Sequence, residues 1–206
     1  MVKYTCIDSF CGAGGLTCGL QQAGIDVIAG IDFDGNCRYA FEHNNHALFI
    51  ESPIEEISHE QLDAFYPMNT IKVLMGCAPC QPFSTHANKV RKANEKKDDR
   101  WFLLNHFSRL IKESHPEIIS MENVPMLSKQ DIFQDFLDTL TFNGYYYDWK
   151  IVHCPQYGIP QNRHRLVLLA SQYGEIHLIP PTHNAETYQT VYEAIGMLQA
   201  IHAGES

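Results

Sequence analysis

Two cysteines, Cys77 and Cys80, stand in the run Gly76-Cys77-Ala78-Pro79-Cys80-Gln81-Pro82-Phe83-Ser84. A C-x-x-C spacing suits thiol–disulfide exchange or half of a zinc site. Structural zinc needs two further ligands, typically a second close pair. The sequence offers only His153-Cys154, adjacent and alone. A thioredoxin-like site would need a smaller domain with the motif near its first strand and helix. The metal and redox readings are therefore the weaker ones, and no metal is expected. The prolines favour a third chemistry. Pro79 and Pro82 flank Cys80, and their fixed φ stiffens a turn that can hold one thiol toward a pocket. Such a thiol becomes a nucleophile when its pKa is lowered and it is partly exposed.

Other groups could work beside it. Glu122 leads Glu122-Asn123-Val124-Pro125, directly after a β-prone run. Arg163 and Arg165 lie in Gln161-Asn162-Arg163-His164-Arg165, two apart and so on one face if extended. An arginine can hold a carboxylate by paired hydrogen bonds. Each group alone reads as a surface ion pair; together with the Cys80 motif they read as a site. Near the N-terminus, Phe10-Cys11-Gly12-Ala13-Gly14-Gly15 follows one apolar run and opens a helical pattern. Glycines there let the backbone turn sharply and approach a ligand. Asp32 ends the next apolar run, where a carboxylate can accept hydrogen bonds from ribose hydroxyls. Thr17 occupies the position of the third glycine in the dinucleotide fingerprint, which disfavours NAD.

These residues need a scaffold. Strands are expected over 3–10, 25–31, 71–75, 117–121, 145–152 and 165–170. Helices are expected from Leu16 to Ala23, then over 36–43, 101–113, 132–142 and 191–200. Gly24 and Asn143-Gly144 supply helix stops. Thr85–Asp99 is polar and reads as a long loop, a length that is usually functional or disordered. Alternating strands and helices indicate an α/β domain with a mostly parallel sheet. Ligands of such sheets bind at the carboxyl ends of the strands, where all the singled-out residues fall.

Composition sets outer limits. The 206 residues suit one sizeable domain, or one domain and a fragment. No run approaches the ~20 apolar residues of a membrane span, and the N-terminus lacks a signal-peptide pattern. Seven scattered cysteines, an odd number, fit reduced thiols better than a secreted disulfide framework. An intracellular, cytoplasmic protein is expected. The net charge of −9 argues against a stand-alone nucleic-acid binder. One segment departs from this. Lys89, Arg91, Lys92, Lys96, Lys97 and Arg100 face only Glu95, Asp98 and Asp99, just after the Cys80 motif, where such a run could meet phosphate.

In this order, the glycine loop, Asp32, Gly76 to Ser84, Glu122-Asn123-Val124 and Gln161 to Arg165 resemble the cytosine-5 DNA methyltransferase family. The likeness runs to about Ser171. It implies a Rossmann-like fold that binds S-adenosylmethionine, a twisted sheet with helices on both faces. By resemblance, the cofactor lies against Phe10, Gly12, Ala13, Gly14, Gly15, Leu16 and Pro79, with Asp32 on its ribose and Phe33 on its adenine. The family usually has Glu and Trp at these last two positions. Ser52 stands about where the family carries an Asp near the adenine amine. The resemblance also implies the reaction. The Cys80 thiolate adds to carbon 6 of cytosine, and carbon 5 of the resulting enamine accepts the methyl group. Glu122 acts at ring nitrogen 3, Arg165 holds the base carbonyl, and Arg163 orients Glu122. The partner would be double-stranded DNA with its target base flipped out, and Thr85–Asp99 would close over that base. Cys77→Ser should be tolerated where Cys80→Ser is not.

Two other functions share these motifs. A tRNA cytosine methyltransferase has much the same core, although Ser84 after Pro82-Phe83 looks more like the DNA enzymes. A non-catalytic cofactor-binding regulator would be expected to lack Cys80 or Glu122. The family's target-recognition region and closing motifs do not appear. Residues 1–180 are expected to form the catalytic domain, and 181–206 the start of a connection to a recognition region in cis or in a separate chain. Whether the chain is a truncated piece or half of a split gene, it should bind the cofactor weakly and methylate DNA poorly.

Overall fold

The computed structural model describes residues 3–79 and 103–200. Cys80, the basic run and the Thr85–Asp99 loop lie outside the described residues. A seven-stranded sheet runs in the order β3-β2-β1-β4-β5-β7-β6. Its strands are β1 Lys3–Ser9, β2 Asp26–Asp32, β3 Leu48–Glu51, β4 Thr70–Gly76, β5 Ile118–Asn123, β6 Tyr146–His153 and β7 His164–Ser171. From β3 to β5 every pairing is parallel. β7 enters antiparallel between β5 and β6. The mostly parallel, Rossmann-like sheet expected from the sequence is therefore the one observed.

The helices are α1 Gly15–Gln22, α2 Arg38–Asn45, α3 His59–Phe65, α4 Leu103–Ser114, α5 Asp131–Phe142 and the short α6 Val191–Ile195. Helices α1 to α5 divide between the two faces of the sheet because the strands alternate. On one face Cys6, Val27, Val73 and Met75 pack with Leu16 and Leu20 of α1. On the other, Ile7, Leu74, Ile119, Met121, Leu166 and Leu168 join Leu62, Phe107, Leu110, Phe136 and Leu140 of α3, α4 and α5 in the main core. The β1–β2 register shifts at Cys6/Ile7, so that Val27 pairs Cys6 but Ala29 pairs Ile7. An extra residue of this kind reverses which side chains face each way. Gly30 is thereby turned toward α2, where an added Cβ would meet Phe41 and Cys11.

Two elements escape the sequence pattern. β3 has four residues, too few to show alternation. α3 has seven, but Ser58 and Gln61 form a reciprocal capping box at its start, a signal that was present in the sequence. At the other end, the helix expected over 191–200 stops after Ile195, where Gly196 caps it. Among the described residues, no helix is long and apolar enough to cross a membrane.

Candidate active site

The glycine loop joins β1 to α1 across the carboxyl ends of the strands. Phe10, Gly12 and Gly14 all have positive φ, a backbone conformation that side chains with a Cβ rarely adopt. Asp32 organises this loop. Its Oδ2 accepts the Gly12 N–H at 2.9 Å, and its Oδ1 accepts the Asp34 N–H at 3.0 Å. Ala13 and Gly15 are exposed at the mouth, and Gly14 is buried. A Cβ on Gly14 would meet Asn45 Nδ2 at 2.2 Å and Phe41 at 2.9 Å. Gly14→Ala should cost about 2 kcal/mol of stability, as overpacking does, and lower the midpoint of thermal unfolding accordingly.

Two clefts open beside this loop. The larger, about 350 Å³, is lined by Phe10, Ile31, Asp32, Phe33, Ser52, Pro53, Ile54, Glu55, Pro79 and Leu103. Phe33 is 69% exposed there. The smaller, about 330 Å³, is lined by Asp8, Phe10, Cys11, Leu16, Cys77 and Glu122. Phe10 borders both. Neither Asp8 nor Ile54 belongs to a motif that marks it, and the resemblance gives Cys77 no part in the site. Asp8 could have been suspected, as a carboxylate inside an apolar strand.

Strand register assembles the chemistry. Gly76 of β4 pairs with Met121 of β5, so one step further places Cys77 beside Glu122. In the antiparallel direction Glu122 pairs with Val167, and Arg165 lies two residues along on the same face. All three side chains stand on the α1 side of the sheet, as does Asp8. Arg165 Nε reaches Glu122 Oε1 at 2.5 Å. The Cys77 thiol donates to Glu122 Oε2 at 2.7 Å. Glu122 is itself the penultimate residue of β5 rather than the first residue after it. Its neighbour Asn123, buried, donates from Nδ2 to the Ala78 carbonyl at 2.9 Å, which fastens the chain two residues before Cys80.

The guanidinium on Glu122 thus belongs to Arg165, whereas the resemblance had assigned that task to Arg163. Arg163 is exposed ahead of β7 and makes no ion pair with Glu122 among the described residues. Register gives the reason, since Arg163 stands four residues from Val167, beyond the start of the strand. Its carbonyl accepts the Cys154 N–H at 2.8 Å.

A buried acid stands at the floor of this site. Burial pushes the Asp8 carboxyl up from 3.8 to about 6, against the lowering effect of its hydrogen bond from Thr17. That bond, Thr17 Oγ1 to Asp8 Oδ2, is 2.7 Å long. Asp8 Oδ1 has no partner among the described residues.

The chain matches the profile of the C-5 cytosine-specific DNA methylases over residues 4–204. It belongs to that family. It is 49% identical over 201 residues to the type II methylase M.HgiDII of Herpetosiphon aurantiacus, covering 96% of this chain and 55% of that protein. Against the type II methyltransferase M.XorII of Xanthomonas oryzae the identity is 31%, over 95% of this chain and 46% of the relative. The chain thus spans about half the length of these curated relatives. Among solved structures, a prophage-encoded E. coli protein put forward as a DNA modification methyltransferase superposes with a TM-score of 0.77 at 24% identity, covering 97% of this chain and 56% of that one. The Dnmt2 methyltransferase of S. pombe superposes with a TM-score of 0.69 at 20% identity, covering 85% and 52%. These two likenesses speak for the fold.

The clefts suit the cofactor of such a family. Phe10, Phe33, Ile31, Ile54 and Pro79 offer apolar walls to a flat ring, and Asp32 offers a carboxylate to hydroxyls. Asp8 and Glu122 border the adjoining cleft, where the Glu122 charge is met by Arg165.

Proposed function

We propose that residues 1–180 form the catalytic and cofactor-binding part of an enzyme that methylates carbon 5 of cytosine in DNA. Residues 181–206 begin the connection to a target-recognition region, in cis or in a separate chain. The whole enzyme acts on double-stranded DNA in the cytoplasm, at the nucleoid if the host is bacterial, as the modification partner of a restriction system. The observation that carries this reading is the placement of Glu122. Its carboxylate is gripped by Arg165 at the wall of the cleft, and the chain that Asn123 fastens leads directly to Cys80.

Bound S-adenosylmethionine would supply an electrophilic methyl group. Phe33 would pack on its adenine, Asp32 would hold its ribose, and Phe10 and Gly12 to Leu16 would line it. Cys80 adds to carbon 6 of the flipped base, breaking the 5,6 double bond and placing electron density on carbon 5. Glu122 supports that addition by holding a proton at ring nitrogen 3. Arg165 keeps Glu122 oriented and would also hold the base's carbonyl oxygen, while Arg163 is exposed ahead of β7. Loss of the carbon 5 proton then expels the Cys80 thiolate and restores the ring.

The DNA reading is favoured over tRNA because the relatives matched over nearly the whole chain are type II DNA-modification methylases. Duplex DNA carrying 5-fluorocytosine tests the mechanism, since fluorine on carbon 5 cannot leave as a proton. The full-length protein, given S-adenosylmethionine, should form a denaturation-resistant adduct that peptide mapping places on Cys80. Cys80→Ser should form none. A wild-type protein that traps no DNA, or that traps it through another residue, overturns the reading.

A further inference from the structure

We propose that Cys77 is a positioning residue that sets the carboxylate of Glu122 for its work on the base. This rests on the cytosine-methylating reading given above. The two residues are brought together by the sheet itself. Cys77 follows the last residue of β4, next to Glu122 on β5, and both side chains emerge on the α1 face. The Cys77 backbone is held as well, its N–H donating to the Ser9 carbonyl at 3.3 Å. The following residue, Ala78, accepts from Asn123 Nδ2 at 2.9 Å. The thiol is therefore a fixed donor on a fixed strand end.

Its effect on Glu122 follows from the geometry. A glutamate side chain has three rotatable torsions and would sample several orientations at a cleft wall. Here Arg165 Nε holds one carboxylate oxygen at 2.5 Å from the β7 side. The Cys77 Sγ holds the other at 2.7 Å from the β4 side. Anchored from both neighbouring strands, the carboxylate is held in one orientation at the wall of the cleft. The chemistry of the donor matters too. A thiol is a weak hydrogen-bond donor, so it orients the carboxylate without stabilising its charge as strongly as a second cation would. Glu122 can then still take up and share a proton. The C-x-x-C spacing is thereby divided between two tasks: Cys80 attacks and Cys77 positions.

The test uses the full-length enzyme, a cytosine-containing duplex and S-adenosylmethionine with a labelled methyl group. Losing one hydrogen bond to a charged group should lower kcat of Cys77→Ala by about 10-fold, with KM for the cofactor unchanged. Cys77→Ser keeps a donor and should recover most of that loss. Because Cys77 acts through Glu122, the Cys77→Ala penalty should fall below about twofold in a Glu122→Gln background, as coupled residues require. Binding of S-adenosylhomocysteine and thermal unfolding, measured on every variant, identify losses due to misfolding. Cys77→Ala at the wild-type rate, Cys77→Ser no better than Cys77→Ala, or an undiminished penalty in the Glu122→Gln background each overturns the proposal. Those results leave the methylation reading standing. A wild-type enzyme that neither methylates DNA nor traps 5-fluorocytosine removes both.

Discussion

Glu122→Gln in the full-length enzyme should lower kcat for cytosine methylation by roughly 100- to 10,000-fold, the range expected for loss of a positioned acid–base group. Glutamine matches glutamate in size, and its oxygen can accept from Arg165 while its amide nitrogen donates to the Cys77 sulfur, a weak acceptor, so the cleft keeps its shape. What disappears is the charge and the capacity to hold a proton opposite ring nitrogen 3. Binding of S-adenosylhomocysteine should change by no more than a few-fold, because Asp32, Phe33 and the glycine loop are untouched. The 5-fluorocytosine adduct should still form, but slowly, since Cys80 is intact. Single-turnover rates measured beside cofactor binding check this. A Glu122→Gln enzyme within about 10-fold of the wild-type rate would mean that the carboxylate serves only to neutralise Arg165. The ion pair is half-buried, with side-chain exposures of 17% for Arg165 and 28% for Glu122. Some loss of stability is therefore expected as well, and comparison at a temperature well below unfolding separates it from the rate effect.

Much of this site was legible before any coordinates. The glycine loop, Asp32 at a strand end, Glu122 beside Asn123 and the arginine pair are local signals, and each kept its place in the fold. The pairings between them were less legible because they depend on register across strands. Sequence spacing puts Arg163 and Arg165 on one face and does not say which of them lies diagonal to Glu122. The antiparallel pairing of Glu122 with Val167 decides it. Cys77 was obscured by its own motif, since C-x-x-C suggests a partner at Cys80 and not on the neighbouring strand. Parallel register with β5 supplied the actual partner. The elements that went unseen, β3 and α3, are short, and their stability comes from packing rather than from periodicity. Phe49 of β3 and Leu62 of α3 are fully or almost fully buried, yet neither stands in a run long enough to repeat.

Asp8 gives the second large effect, one of stability and pH. Its carboxyl sits inside β1, 1% exposed, with one oxygen bonded to Thr17 and the other without a partner among the described residues. Burial raises it from 3.8 to about 6, and Asp32 adds to the rise. The thiols of Cys6 and Cys11 face the same charge and are themselves pushed up, chiefly by burial and then by Asp8. A carboxyl raised in the folded state is better tolerated there when protonated. Its relative contribution is fully present below about pH 3.8 and is lost as pH rises through about 6. At about 1.36 kcal/mol per pKa unit, the ionised Asp8 costs the folded protein up to about 3 kcal/mol at neutral pH. Asp8→Asn keeps an acceptor for Thr17 and has no charge to bury. The variant should therefore unfold at a higher temperature than wild type at about pH 8, and the advantage should shrink through about pH 6 and vanish near about pH 4. Thermal unfolding of both proteins across that range reads it directly. Equal midpoints at the alkaline end would show that Asp8 is relieved by a group the described residues do not contain. If the variant is more stable, a neutral residue would serve the fold better at this position. The acid would then be maintained at the fold's expense, at the wall of the cleft that Glu122 and Cys77 also line.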